Sequence, residues 1–228
     1  MTDEDAGFDR RWESDVYAQS RQLNLYPFDV VVALVLSRFG AAPDRSRIRV
    51  LDIGSGAGNH LWFLAREGFD AVGVEGSASA AEFARRRLEA GGLSAEIVVG
   101  DFARLPWPDE SFDLAFDRGS LTHNRRSVVV SALDEARRVL KPGGVFFSQM
   151  FGDRHSGIRH GRPLGDGAYD DFASGYLAGI GRTFFAGRAD VDALHGARFT
   201  LEDVSRVTIE TEGAEDPVLD YWNVIARR

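Results

Sequence analysis

A chain of 228 residues with no cysteine and a formal charge of -8 is long enough to bury a full core without staples. It holds no material for disulfides, zinc thiolate sites or a thiol nucleophile. The acidic balance argues against a nucleic-acid partner, because neutralising phosphates takes clustered cations. No basic leader followed by an apolar run is read, nor a stretch of membrane-spanning length. The expectation is a cytoplasmic protein, away from membranes, that handles a small molecule.

In chain order, the acidic residues 1–9 read as a frayed tail. Residues 12–24 are polar and aromatic by turns. There Tyr17, Gln19, Gln22, Asn24 and Tyr26 supply hydrogen-bonding groups without a continuous apolar face, as in a flap over a site or an N-terminal helix wrapping the domain. Pro27 opens a helix at a tolerated first-turn position, and Phe28, Val31, Val32, Val35 and Phe39 recur at helical spacing. A buried strand over 48–53 runs into Gly54, Gly56 and Gly58 and then a helix from about Asn59. Glycine tolerates positive φ and brings backbone amides close to a ligand at a helix N-terminus. A second strand, 71–74, ends at Glu75, and Ser77 caps the next helix. A third strand, 95–99, ends at Gly100-Asp101, and a fourth, 112–116, ends at Asp117. A helix then carries Val129, Leu133, Ala136 and Leu140 on one side. The Lys141-Pro142-Gly143-Gly144 run stops it before a strand over 145–150.

Residues 151–182 break this pattern with a glycine-rich run holding His155 and His160, too long for an ordinary connection. A helix near 188–194 and strands over 206–210 and 219–226 complete the chain, the last two close enough to pair as a hairpin. Strands alternating with helices predict an α/β fold: a doubly wound, Rossmann-like, mostly parallel seven-stranded sheet with an antiparallel last strand and helices on both faces. In such sheets a ligand lies beyond the carboxyl ends of the strands, where strand order reverses. Those ends carry the glycine loop, Glu75, Asp101-Phe102 and the 117–120 turn.

Taken together, residues 50–58, Glu75 with Gly76 and Ser77, the 100–106 stretch, residues 111–117 and residues 138–144 closely resemble the class I S-adenosylmethionine-dependent methyltransferases of the domain 11 and 25 type. Residues 22–27 and 117–119 also resemble a bacterial subgroup associated with polysaccharide or small-molecule clusters. The resemblance implies a single domain over 1–228. It would comprise an N-terminal helical cap (1–40), a cofactor-binding core (48–150), a substrate lid or insert (151–182) and a C-terminal helix and strand pair (183–228).

The cofactor implied is S-adenosylmethionine. Asp52 would brace the glycine loop, while Gly54, Ser55, Gly56 and Gly58 let the methionyl part lie against the main chain. Glu75, followed by Gly76 and Ser77, would accept the ribose hydroxyls, since two carboxylate oxygens meet two donors. Asp101 would take the adenine amino group with Phe102 flanking the ring. Asp117, Arg118 and Gly119 would sit near the sulfonium, with Asp117 meeting either cofactor or substrate. His60 reads as a capping or supporting residue.

The reaction expected is in-line methyl transfer to an oxygen or nitrogen of a small-molecule acceptor. Positioning contributes on the order of 7–11 kcal/mol in favourable systems, and a general base adds about 100-fold to 10,000-fold. His123 is the first candidate base, with Asp117 beside it. Tyr17, Tyr26, His123, His155 and His160 are the candidate substrate contacts. No spacing supports a metal site, and a homodimer is left open. A regulatory cofactor-binding module and a nicotinamide oxidoreductase are the competing classes, the latter weakened because Asn59 stands where its fingerprint has glycine.

Overall fold

The computed structural model describes residues 7–228, so the expected tail over 1–6 lies outside the described residues. The rest of that expectation is corrected. Gly7 is buried, and its amide donates to the Asp101 carboxylate at 3.1 Å.

The predicted alternation is present. Helix α1 (Asp29–Phe39) precedes β1 (Arg49–Ile53), α2 (Asn59–Arg66), β2 (Asp70–Glu75) and α3 (Ala78–Ala90). Then come β3 (Glu96–Val99), β4 (Phe112–Arg118), α4 (Arg126–Val139) and β5 (Leu140–Phe151). The helix before β5 stops at Val139, and the Lys-Pro-Gly-Gly run is drawn into the strand, with Gly143 at φ +74°. Three short strands follow, β6 (Arg162–Pro163), β7 (Ala168–Asp170) and β8 (Thr183–Phe184). Helix α5 (Arg188–His195), β9 (Thr200–Glu210) and β10 (Val218–Arg227) close the chain.

The main sheet has seven strands in the order β3-β2-β1-β4-β5-β10-β9. Strands β1 to β5 are parallel, and β10 runs antiparallel to both β5 and β9. The last strand is therefore the antiparallel one. It lies inside the sheet, however, because β9, longer than its exposed residues suggested, takes the edge. Alternation along each strand feeds two cores. In β1, Leu51 and Ile53 join Leu133, Phe146 and Val191 on the α4 and α5 face. Val50 points the other way, to Val31, Leu61 and Phe116 beneath α1 and α2.

The insert is more ordered than a bare connection. Strands β6-β7-β8 form a small antiparallel sheet. Phe151, Phe172, Leu177, Ile180 and Phe185 make a third apolar cluster. A reciprocal pair of bonds, Phe184 N to Thr122 O at 2.6 Å and Thr122 Oγ1 to Phe184 O at 2.7 Å, ties it to the loop after β4. The N-terminal segment folds back as a π-helical turn, Trp12–Tyr17. Ser77 and Ser79 hold it by donating their hydroxyls to the Glu13 carboxylate. Among the described residues no helix is long and apolar enough to cross a membrane.

Candidate active site

Strand order reverses between β1 and β4, and a cavity opens at their carboxyl ends. Its empty volume is about 1180 Å³, open mouth included, which is room for a nucleoside-sized ligand and a second small molecule. The floor is the loop after β1. Gly54, Gly56 and Gly58 all take positive φ. A Cβ on Gly56 would stand 2.7 Å from the Tyr17 hydroxyl, and one on Gly58 would stand 2.6 Å from the Ala84 Cβ. Gly56 thus lets the N-terminal turn close over the loop, whereas Gly58 lets α2 approach α3 and does not line the cavity.

The loop is braced differently from expectation. The amides of Gly54 and Ser55 donate to the Val74 carbonyl at 2.9 and 3.0 Å. That of Gly56 donates to Glu75 Oε2 at 2.7 Å. Asp52 instead faces His60, whose Nδ1 lies 3.3 Å from Oδ2. The other ring nitrogen, Nε2, accepts the Phe28 amide at 3.4 Å. With Nε2 accepting, the neutral tautomer carries its proton on Nδ1, toward Asp52.

Glu75 ends β2 in the cavity wall, almost fully buried. Its Oε1 accepts the Ser77 amide at 2.8 Å. Burial pushes its carboxyl up to about 7, against the pull of the Ser77 and Gly56 amides, and the Asp52 charge adds to the rise. Ser77 itself caps α3, accepting the Ala80 amide at 3.0 Å, and stays behind the wall. Gly76 lines the cavity, with Phe8 packed where its Cβ would be.

Of the Asp101-Phe102 pair, Phe102 lines the cavity, while the Asp101 carboxylate takes the amides of Gly7 and, at 2.8 Å, Ala103. The expected adenine contact is thus occupied by a main-chain donor from the N-terminal segment.

Asp117 is corrected from a group at the reacting centre to a brace of the turn. It is fully buried. Oδ1 accepts the amides of Ser120 and Leu121 at 2.7 and 3.0 Å, and Oδ2 accepts the Ser148 hydroxyl at 3.1 Å. Burial raises its carboxyl to about 6. Arg118 and Gly119 do reach the cavity. The Arg118 guanidinium carbon stands 3.4 Å from the Phe28 ring centre.

His123 lines the cavity with Nδ1 3.1 Å from the Thr183 hydroxyl and its ring between Trp12 and Phe151. Burial drives its pKa down to about 3. A ring that refuses a proton until such acidity is a poor general base near neutral pH, which weighs against its expected role. Tyr17 lines the cavity, and burial together with the Glu75 and Asp52 charges raises its hydroxyl pKa.

The other three candidate substrate contacts lie elsewhere. Tyr26 is 79% exposed, and its carbonyl accepts Asn59 Nδ2 at 2.9 Å. His155 is buried under the insert, with Nδ1 accepting the Gly157 amide at 3.0 Å. His160 clamps a distant loop through Asp216 at 2.9 Å and Ser174 at 2.9 Å.

Sequence reasoning missed much of the second half of the chamber: Phe28, Asn124, Gln149, Phe151, Tyr176 and Tyr221. Gln149 and Phe151 sit at the carboxyl end of β5, so the strand-end rule applied once more finds them. Tyr221 is placed only by the antiparallel register that pairs it with Phe151, a non-local fact. Buried polar atoms without a protein partner face this region: Ser55 Oγ, Asn124 Oδ1 and Arg118 Nε. Such atoms fit a polar ligand, since leaving them unpaired costs about 1–3 kcal/mol each.

Comparison with known proteins agrees with this geometry. A family model described as a methyltransferase domain matches residues 50–144. The ubiquinone/menaquinone biosynthesis C-methyltransferase UbiE of Bordetella avium is 33% identical over 183 residues, 73% of this chain and 65% of that protein. The chain spans less than two thirds of the length of the curated relatives it matches. Among solved structures, a methyltransferase from Methanosarcina mazei superposes with a TM-score of 0.69 at 22% identity, over 90% of this chain and 99% of that one. The 1,6-didemethyltoxoflavin-N1-methyltransferase of Burkholderia thailandensis, solved with 1,6-didemethyltoxoflavin and S-adenosylhomocysteine bound, gives 0.64 at 21%, over 93% and 83%. At these identities the structures speak for the fold. Ordered motifs, strand order and sequence matches converge: residues 50–144 carry a methyltransferase domain, and the chain is similar in sequence and fold to class I S-adenosylmethionine-dependent methyltransferases.

Proposed function

We propose that the cavity binds S-adenosylmethionine and that the chain transfers its methyl group to an oxygen or nitrogen of a small-molecule acceptor. The observation that carries the reading is Glu75. Its carboxylate ends β2 in the cavity wall and is hydrogen-bonded to the glycine loop, at the switch point of a doubly wound sheet. Each oxygen has one lone pair engaged by an amide, leaving the others for two ribose hydroxyls. The orphaned Ser55 hydroxyl lies along the same wall.

When bound, the cofactor supplies an electrophilic methyl on a sulfonium. The chain holds the two reactants in line and keeps water out. Tyr17 and Trp12 close the N-terminal side, and Phe151, Leu177 and Ile180 of the insert close the other. This supports the insert as an acceptor wall. Among the described residues lining the cavity, His123 is held too acidic to remove a proton near pH 7, and Glu75 is tied to the loop. The acceptor therefore arrives already ionised or as a free amine, and positioning does most of the work.

Incubation with methyl-labelled S-adenosylmethionine and a metabolite panel tests this. Label is expected in a small organic product, with S-adenosylhomocysteine formed in equal amount. Tight cofactor binding with no transfer to any fraction would leave a binding module in its place.

A further inference from the structure

Resting on the methyl-transfer reading, we propose that the acceptor carries an anionic group, a carboxylate on an aromatic or extended apolar body, and that Arg118 receives it. Arg118 stands at the carboxyl end of β4, in the wall of the chamber. One face of its guanidinium is covered by Phe28. Its Nε is buried with no hydrogen-bond partner, and among the described residues no carboxylate forms an ion pair with it.

The acidic groups of the cavity wall are committed elsewhere. Asp9 binds Arg11, Asp52 faces His60, and Glu75 holds the glycine loop. The neighbouring Asp117 turns to the other face of the sheet, where Ser120, Leu121 and Ser148 fill its oxygens.

A half-buried cation without a counterion is costly. Keeping one beside a chamber of that size assigns it a ligand charge to meet. The planar fork suits a carboxylate, which it grips through paired N-H donors. The rest of the chamber fixes the body of the acceptor. Trp12, Phe151, Tyr176 and Tyr221 line the same cavity as Arg118, a lining that selects a flat or apolar body over a sugar.

The methionyl carboxylate of the cofactor is the competing source of the same charge, and binding measurements separate the two. The S-adenosylhomocysteine-loaded protein is titrated calorimetrically with benzoate, indole-3-acetate and octanoate, each against its neutral amide. The series is repeated on the unliganded protein and on Arg118→Met and Arg118→Lys.

At least one carboxylate is expected to bind about tenfold or more tighter than its amide. Arg118→Met should abolish that preference, Arg118→Lys should retain part of it, and both should keep S-adenosylhomocysteine affinity within about threefold. Equal binding of every acid and its amide overturns the proposal. So does an Arg118→Met protein that keeps the preference, or one that loses S-adenosylhomocysteine by about tenfold or more, which would assign the residue to the cofactor. Failure of S-adenosylhomocysteine to bind the wild type would sink the methyl-transfer reading instead, and the titrations of unliganded protein would still decide whether Arg118 selects carboxylates. The acid-amide comparison on the wild type decides even if a variant does not fold.

Discussion

Glu75 and His123 both line the cavity, and burial moves their pKa values in opposite directions. Burial raises the Glu75 carboxyl to about 7, so near neutrality it is only partly ionised. The ionised form accepts donors on both oxygens. Affinity for S-adenosylhomocysteine should therefore rise as pH climbs from about 6 to 8. Replacement by Gln should flatten that dependence, and calorimetry across the range measures it; a pH dependence retained in Glu75→Gln would move the titration to another group. For His123, held near 3 by burial, the expectation is the reverse of a catalytic base. His123→Gln should lower turnover by less than about tenfold and leave the pH-rate profile without a lost limb. A drop of about 100-fold or more together with loss of a limb would restore the base.

At the scale of elements, the N-terminal turn Trp12–Tyr17 and the glycine loop are one device. Gly56 has no side chain where Tyr17 descends, and Glu13 pins the turn to the start of α3. Glu13→Ala should expose the turn to limited proteolysis and weaken S-adenosylhomocysteine binding several-fold, while the thermal midpoint moves little. An unchanged digestion pattern would count against the clamp. Gly58→Ala should destabilise the fold by about 1–3 kcal/mol in denaturant unfolding, through a left-handed backbone and a collision with α3.

The strands, their order of appearance and the loop glycines are legible locally, because period and turn chemistry are written in neighbouring residues. The closing hairpin was legible as well. What escaped was set by long-range contact. Gly7 meets Asp101, Tyr221 meets Phe151 across an antiparallel register, His155 is engaged by the Gly157 amide, and His160 is held by Asp216. A histidine in a glycine-rich run looks the same in sequence whether it serves a site or a loop clamp.

For the molecule as a whole, buried titratable groups make stability depend on pH with opposing signs. His123 and His195 are depressed to about 3 and about 4, and His155 is lowered as well, all by burial. The unfolded chain binds those protons more readily. Their contribution is complete above the ordinary histidine range near 6.5 and is lost as pH falls, at up to about 1.4 kcal/mol per pH unit for each group. Glu75 and Asp117 are raised, so their contribution is present at low pH and is lost as pH rises through about 7 and about 6. The two sets offset one another between about pH 4.5 and 6.5. Below about 4 the His195 contribution is spent and His123 continues to about 3, joined by carboxylates such as Asp216 and Asp220, which their partners hold low against the opposing effect of burial. Unfolding free energy should therefore be nearly flat in the first window and fall steeply below it, and urea titrations at stepped pH read this directly.

The central claim, that the cavity at the β1 and β4 switch point is an S-adenosylmethionine site anchored on Glu75, is tested most directly by titrating S-adenosylhomocysteine calorimetrically into the wild-type protein and Glu75→Ala. One site per chain is expected on the wild type, weakened about tenfold or more in the variant with its folded circular-dichroism spectrum retained. No binding to the wild type, or equal affinity in the two proteins, would contradict it.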